Sequence, residues 1–154
     1  MAEIVLFANT DWYLYNFRRS LAQALKEAGH ELLLLSPPGP YGDELRKLGF
    51  RWQPVPMARR SLNPLREVAV LWWLFRLFRR ERPALVHGFT IKCAIYGSLA
   101  ARMAGVPSRI NAVAGMGYVF TNEARLARGL RPLVRAALLH APEGATRVPA
   151  VPRW

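Results

Sequence analysis

Short strand-like segments alternate with helix-like segments along this chain, and this alternation limits its possible folds more than any other feature. The strand-like segments are 3–8, 30–36, 50–56, 83–89 and 108–115. The helix-like segments that follow them are 13–28, 42–49, 63–82, 91–105 and 125–140. In 13–28, apolar residues recur at three- and four-residue steps. Strands that alternate with helices pair in parallel, and right-handed crossovers place helices on both faces of the sheet. The sequence therefore predicts an α/β fold with a Rossmann-like, doubly wound parallel sheet.

The ends of the predicted helices and the length of the chain define its organisation. Gly29 and Gly105 follow two of the helices and are typical C-terminal caps, while Asn63 and Pro64 are typical of a helix start. With 154 residues, we expect one Rossmann-like domain over 1–140. Residues 141–154 contain three prolines and no periodicity, which predicts an irregular tail; we expect a truncation there, with a natural flexible tail as the alternative.

The cysteine content and the N-terminal segment bear on location. A single cysteine, Cys93, excludes an internal disulfide framework and fits a reducing compartment. The start "MAEIVLF" has a Glu where a secretory signal would carry Lys or Arg, so no signal peptide is predicted.

The charge balance points to an anionic partner. Twenty-two Lys and Arg against ten Asp and Glu give a net charge of +12. Such a charge favours binding to nucleic acid, an anionic membrane or phosphorylated ligands. Nineteen of the basic residues are Arg, which a GC-rich genome could explain, but codon usage does not explain the scarcity of acidic residues.

Polar residues follow the first and fourth predicted strands. Asn9, Thr10 and Asp11, then Trp12, come after the first strand. In open α/β sheets, ligands bind at the carboxyl ends of the strands. These residues are therefore predicted to lie on the ligand side of the sheet.

The segment "HGFTIK" after the fourth strand is the densest polar set. Thr90 is placed to cap the next helix, Lys92 lies in its first turn, and His87 precedes both. A helix N-terminus attracts anions, so this segment predicts a phosphate or pyrophosphate site around His87 and Lys92. The alternative is that Thr90 only caps the helix and Lys92 only faces water.

The loop "AGMGYVF" lies after the fifth strand, where Gly115 and Gly117 would allow a ligand to approach the backbone around Met116. It is not a GxGxxG motif, and no GxxxxGK[ST] motif occurs, so the usual NAD or ATP sites are not predicted. The three histidines are far apart in sequence and there is one cysteine, so no metal site is predicted.

The predicted helix 63–82 contains eight consecutive apolar residues, "VAVLWWLF". A sheet buries only one helix face, so the excess must meet another domain, another chain or lipid. Tryptophans near arginines suit the headgroup layer of an anionic membrane. The predicted membrane contacts are Trp72, Trp73, Arg76, Arg79 and Arg80. The alternative is a well-buried helix with a solvated Arg-rich end.

Five motifs, in this order, resemble those of a known family: N-T-D-W, S-P-P-G, R-R-S-x-N-P, H-x-F-T-I-K and G-x-G-Y-V-F. Over about residues 3–122 the chain resembles the N-terminal domain of family 4 glycosyltransferases with the GT-B architecture. The nearest resemblance is to the bacterial branch that extends polyprenyl-diphosphate-linked sugars in cell-surface glycan assembly. Cys93 departs from the pattern, since many relatives have Pro after the Lys.

The resemblance implies two Rossmann-like domains that face each other across a cleft. The N-terminal domain would hold the acceptor, and a C-terminal domain, absent from this chain, would hold the nucleotide sugar through paired Glu residues. The family retains anomeric configuration, generally without a metal, and we expect no cofactor in this chain. We expect the chain alone to be inactive and to lie in the cytoplasm, at the inner face of the cell membrane.

The resemblance also implies roles for individual residues. His87 and Asp11 would be catalytic. The residues implied to bind the acceptor or its phosphate are Asn9, Thr10, Trp12, Thr90, Lys92, Gly115, Met116 and Gly117. The implied partners are a polyprenyl-diphosphate-linked sugar, an anionic membrane surface and the donor domain, and no nucleic acid is expected.

Two other hypotheses remain open at this point. One is a stand-alone basic module that binds membrane or nucleic acid, which the charge and the Trp-Arg helix favour. The other is a nucleotide-sugar-modifying or dinucleotide enzyme on a Rossmann fold, against which the missing glycine motif argues.

Overall fold

The structure, a computed structural model, describes residues 3–58 and 63–112 of the chain, which contain a five-stranded sheet. Its strands are β1 (Glu3–Phe7), β2 (Glu31–Ser36), β3 (Arg51–Pro54), β4 (Leu85–Phe89) and β5 (Ser108–Ala112). Every neighbouring pair is parallel, and the order is β3-β2-β1-β4-β5. The predicted doubly wound parallel sheet is confirmed. The predicted helix 125–140 and the tail 141–154 lie outside the described residues.

The helices of the described residues lie between the strands, as predicted. They are α1 (Asp11–Tyr13), α2 (Arg19–Glu27), α3 (Gly42–Lys47), α4 (Pro64–Glu81) and α5 (Ile91–Ala104). The side chain of Asn63 accepts the N–H of Leu65 at 3.1 Å, and Gly29 and Gly105 have φ of 85° and 77°, so the predicted caps are confirmed.

The first helical segment differs from its prediction. It begins at Asp11 rather than Tyr13, and a π-helical turn, Leu14–Arg18, joins α1 to α2. Hydrogen bonds between residues five apart replace the usual spacing in such a turn, and π turns occur frequently at functional sites.

The two faces of the sheet carry two separate cores. Alternate strand residues point to opposite faces. On one face, Leu6, Leu34 and Phe89 pack with residues of the segment Asp11–Lys47 such as Leu14 and Leu45. On the other face, the core joins the strands to α4 and α5; its strand members include Val5, Phe7, Leu33, Leu35 and Val86, and its helix members include Leu74, Phe78, Cys93 and Ala100. We call these the α1–α3 face and the α4–α5 face.

Gly88 allows β4 and α5 to approach each other. A Cβ built on Gly88 would lie 2.9 Å from the Cα of Ala94 and 3.0 Å from the Oδ1 of Asn111. The first of these atoms belongs to the helix backbone, so it cannot move without shifting α5. The glycine therefore sets the distance between the fourth strand and the start of α5.

We expect Gly88→Ala to lower the free energy of unfolding by about 1–3 kcal/mol, because the added methyl group overpacks a backbone contact. Gly97→Ala is the matched control, since the nearest atoms to its Cβ belong to the side chains of Phe7, at 3.2 Å, and Val86, at 3.7 Å, and helix propensity favours Ala by about 1 kcal/mol. Urea denaturation of both variants checks this. Equal stability of the two variants would contradict the packing argument.

Candidate functional site

The strand order reverses between β1 and β4, and this reversal marks the position of a crevice. β1 connects through α1 and α2 to β2 on one side, while β4 is its neighbour on the other side. Phe7 lies opposite Gly88, so the segments that follow β1 and β4 leave the sheet side by side. Ligands bind outside the carboxyl ends of strands at such a switch point.

The segment after β1 forms the start of a helix. The Oγ1 of Thr10 accepts the N–H of Tyr13 at 3.1 Å, so Thr10 is the N-cap of α1. Asn9 is half-buried, whereas the Trp12 side chain is exposed and packs edge-on against Phe17, with 5.3 Å between the ring centroids. The structure thus places an exposed aromatic pair beside the end of β1.

Asp11 is buried, and backbone N–H groups occupy both of its carboxylate oxygens. Oδ1 accepts the N–H of Trp12 at 2.8 Å, and Oδ2 accepts those of Tyr41 at 2.6 Å and Gly42 at 3.0 Å. A Cβ on Gly39 would collide with this carboxylate. Asp11 therefore joins the start of α1 to the loop before α3, which is a positioning role.

His87 lies in the middle of β4, on the α1–α3 face. Its ring lies 4.1 Å from the Phe89 ring, and its Nε2 atom is buried without a hydrogen-bond partner. Burial, and to a smaller extent the charge of Arg18, lowers the pKa of His87 from 6.5 to about 4. The imidazole is therefore neutral at neutral pH and offers hydrogen bonds rather than a positive charge.

Thr90 joins β4 to α5 with an unusual backbone. Its φ is 74° and its ψ is 155°, a region that is nearly restricted to glycine. The prediction that its side chain caps α5 is wrong: this conformation leaves the buried hydroxyl without a bond to the helix backbone. Strain of this kind concentrates at ligand-binding sites, and the first turn of α5 keeps N–H groups that have no acceptor within the helix.

Lys92 lies on the α4–α5 face. Its Nζ forms an ion pair with the Oε1 of Glu67 at 2.9 Å and donates to the carbonyl of Ala58 at 2.9 Å. His87 belongs to the opposite face, so the expectation that His87 and Lys92 together surround one anion is wrong. The reason is geometric: His87 alternates with Val86, which faces α5, while Lys92 belongs to α5 itself.

The predicted ligand residues of the glycine loop, Gly115, Met116 and Gly117, lie outside the described residues. Within 3–58 and 63–112, no group of three or more His, Cys, Asp or Glu side chains could hold a metal ion.

Four of the five predicted membrane contacts are exposed on α4, whereas Trp73 packs against the core of the α4–α5 face. Trp72 is 55% exposed, Trp73 is partly buried, and Arg76, Arg79 and Arg80 are exposed. Val68 is also 65% exposed, whereas Val70, Leu74 and Leu77 are buried, so the helix presents an apolar stripe that the sheet does not cover. Among the described residues, none of the helices has the length and apolarity needed to cross a membrane.

Sequence reasoning missed Arg18. Its guanidinium lies over the Phe89 ring at 4.5 Å and close to His87. One of two adjacent arginines in a helical segment gives no signal by itself. The π-helical turn Leu14–Arg18 brings the Arg18 side chain to Phe89 at the end of β4.

The family described as glycosyl transferase 4-like matches residues 3–143. The chain belongs to the glycosyl transferase 4-like family. The expectation drawn from the five motifs is thereby confirmed.

Two bacterial glycosyltransferases resemble this family member in sequence. The N,N'-diacetylbacillosaminyl-diphospho-undecaprenol alpha-1,3-N-acetylgalactosaminyltransferase of Campylobacter jejuni is 27% identical over 110 residues, which are 71% of this chain and 29% of that protein. The UDP-Gal:alpha-D-GlcNAc-diphosphoundecaprenol alpha-1,3-galactosyltransferase of Escherichia coli is 33% identical over 67 residues, which are 44% of this chain and 17% of that protein. The aligned region thus spans less than a third of either relative.

Solved structures share the fold at low identity. MurG of Acinetobacter baumannii has a TM-score of 0.60 at 19% identity, over 72% of this chain and 33% of that chain. A putative UDP-N-acetylglucosamine 2-epimerase of Listeria monocytogenes has a TM-score of 0.61 at 12% identity, over 88% of this chain and 37% of that chain. These likenesses show the Rossmann-like half of a GT-B fold, which more than one type of enzyme uses.

We expect Asp11→Asn to lower the free energy of unfolding by about 2–3 kcal/mol, because the amide nitrogen would face a backbone N–H that needs an acceptor. Asp43→Asn is the control, since its carboxylate is exposed and its ion pair, with Arg46, is a surface one. Chemical denaturation measures both. A wild-type stability for Asp11→Asn would contradict the assigned hydrogen bonds.

His87 should make the protein less stable as the pH falls from about 6.5 to 4. Between these pH values His87 is protonated in the unfolded chain but neutral in the folded protein. The free energy of unfolding therefore decreases as the pH falls. The expected contribution is on the order of 1–3 kcal/mol, fully developed below pH 4. Denaturation of the wild type, His87→Gln and His87→Phe across this range tests it. Persistence of the full slope in both variants would exclude His87 as its source.

Proposed function

We propose that this chain is the acceptor-binding, N-terminal part of a retaining glycosyltransferase. The full enzyme would transfer a sugar from a nucleotide sugar to a polyprenyl-diphosphate-linked saccharide in cell-surface glycan synthesis. Family membership supports the reaction type, and the names of both relatives specify sugars linked to undecaprenyl diphosphate.

One observation carries the proposal. Where the strand order reverses, the polar segment after β1 and the strained junction between β4 and α5 lie side by side. The α5 N-terminus follows β4 directly and His87 belongs to β4, and these two groups suit a phosphate and a sugar hydroxyl respectively.

Individual residues take roles in this proposal. Asn9 and Thr10 line the crevice beside β1, and Trp12 offers an exposed ring on which a sugar can stack. His87 contacts the acceptor as a neutral hydrogen-bonding group, and Asp11 positions the loop rather than reacting. Thr90 and Lys92 belong to the start of α5; Thr90 lies at the junction beside the crevice, whereas Lys92 pairs with Glu67 on the α4–α5 face and takes no part in the site.

The donor side of the reaction belongs to a C-terminal domain of the GT-B type. That domain would bind the nucleotide sugar, and the crevice between the two domains would enclose the reacting sugars. In a retaining reaction the acceptor hydroxyl bonds to the anomeric carbon as the nucleotide diphosphate leaves from the same side, and the hydroxyl proton passes to the departing phosphate oxygen.

We expect His87→Ala to weaken binding of farnesyl-diphosphate-linked N-acetylglucosamine at least tenfold, because the acceptor loses a hydrogen bond in a buried position. His30→Ala is the control, since His30 precedes β2 at the opposite edge of the sheet. Isothermal titration in detergent measures both affinities. Unchanged affinity for His87→Ala, or equal losses for both variants, would contradict the assigned site.

The membrane surface is the second partner in the proposal. The exposed stripe of α4 and its arginines would lie at the inner face of the cell membrane, next to the lipid that carries the acceptor. A groove between α4 and β3, lined by Gln53, Trp72, Trp73, Arg76 and Arg80, would lie in the headgroup layer.

We expect the triple change Arg76→Gln, Arg79→Gln and Arg80→Gln to weaken binding to phosphatidylglycerol vesicles by on the order of a hundredfold. The matched control changes Arg19, Arg46 and Arg102 to Gln, which removes the same charge from other helices. Vesicle co-sedimentation at several salt concentrations checks it. Equal losses in the two triple variants would show that net charge, rather than α4, holds the protein on the membrane.

A further inference from the structure

Arg18 is held in place by two aromatic rings at the carboxyl end of β4. Its guanidinium carbon lies 4.5 Å from the centroid of the Phe89 ring and 5.3 Å from that of Tyr13. Its Nη2 donates to the Tyr13 hydroxyl at 2.8 Å. Such a guanidinium is oriented before any ligand arrives, which reduces the entropy lost on binding.

The π-helical turn Leu14–Arg18 makes this arrangement possible. Residues five apart, such as Tyr13 and Arg18, lie on different sides of an α-helix but come together where the backbone bonds span five residues. The next residue, Arg19, is exposed and lies over the Tyr15 ring instead. The turn therefore selects one of two adjacent arginines for the crevice.

The charge of Arg18 has no acidic partner within the part of the chain that the structure describes. Arg51, by contrast, forms ion pairs with Glu3 and Glu81. The Nε of Arg18 is buried and donates to no acceptor, and the Nε2 of His87, whose ring packs against the same Phe89 ring, is buried and also lacks a partner. Buried polar groups of proteins are normally satisfied, so two such nitrogens on side chains that contact one ring indicate a ligand that supplies hydrogen-bonding atoms.

We propose that Arg18 is the diphosphate-binding residue of this crevice, with the Nε2 of His87 as a second hydrogen-bonding group. The inference rests on the proposed function, and it names the group that recognises the diphosphate. Guanidinium binds phosphate with two parallel hydrogen bonds, and Nε and Nη atoms form the required fork. A neutral imidazole beside it accepts or donates one hydrogen bond without competing for the negative charge.

This assignment moves the anion site to the α1–α3 face. Lys92 neutralises Glu67 on the other face, so its charge is largely used within the protein. Arg18 has its charge available and lies next to the exposed pair Trp12 and Phe17. A diphosphate at Arg18 would place an attached sugar or prenyl group near these rings.

The test compares Arg18→Gln with Arg19→Gln, which removes the same charge one residue away. Inorganic pyrophosphate, farnesyl diphosphate and UDP are titrated into each protein by isothermal calorimetry. We expect Arg18→Gln to lose at least tenfold in affinity for pyrophosphate, and Arg19→Gln to stay within about twofold of the wild type. Arg18→Lys should fall between them, because it keeps the charge but not the fork.

A second readout guards against misfolding. Arg18→Met keeps an unbranched side chain that can pack on Phe89 and Tyr13, so it should unfold at nearly the wild-type temperature and still lose pyrophosphate binding. Equal affinities of the wild type and the two folded variants Arg18→Met and Arg18→Lys would overturn the inference.

The three probes, titrated together with the farnesyl-diphosphate-linked N-acetylglucosamine used to test the acceptor site, separate this inference from the proposed function. Arg18-dependent binding that is tighter for farnesyl diphosphate than for UDP supports an acceptor site, and the reverse order supports a donor site; both outcomes support Arg18 as the diphosphate residue. If the farnesyl-diphosphate-linked sugar binds no better than pyrophosphate, the acceptor proposal fails while the Arg18 inference stands. If that sugar binds well but independently of Arg18, the inference fails while the acceptor proposal stands.

Discussion

The parallel pairing of β1 with β4 is the constraint on which the rest of this structure depends. It reverses the strand order and sends the following helices to opposite faces of the sheet. Gly88 keeps β4 close to α5, so the start of α5 is held against the end of β4. The segment that begins at Asn9 and the junction at Thr90 lie side by side because the register of β1 and β4 pairs Phe7 with Gly88.

The polar groups around the crevice divide into those that the protein uses and those that it leaves available. Asp11 gives its carboxylate to three backbone N–H groups, and Lys92 gives its charge to Glu67. Arg18 and His87 are partly buried and both contact the Phe89 ring, and their buried Nε and Nε2 atoms have no hydrogen-bond partner among the described groups. The carboxylates of Asp11 and Glu67 therefore form bonds within the protein, whereas the guanidinium of Arg18 and the neutral imidazole of His87 can bind a ligand.

Much of the fold could be predicted from the sequence, because strand and helix periods and the caps at Gly29, Asn63 and Gly105 are local signals. Less of the candidate site could be predicted from the sequence. The period of two already places His87 with Leu85 and Phe89, but the face of Lys92 follows only from the crossover of α5. The φ of Thr90 and the π-helical turn before Arg18 depend on tertiary packing, and no residue pattern indicates them.

The most direct test of the account locates the acceptor on the protein. A polyprenyl-diphosphate-linked sugar with a diazirine on its sugar ring is bound to the chain in detergent, irradiated, and mapped by mass spectrometry. The account predicts adducts within residues 9–18 and 87–90, on the two sides of the crevice. Adducts confined to the outer face of α4 or to α3 would contradict it, since the sugar would then lie away from the reversal of the strand order.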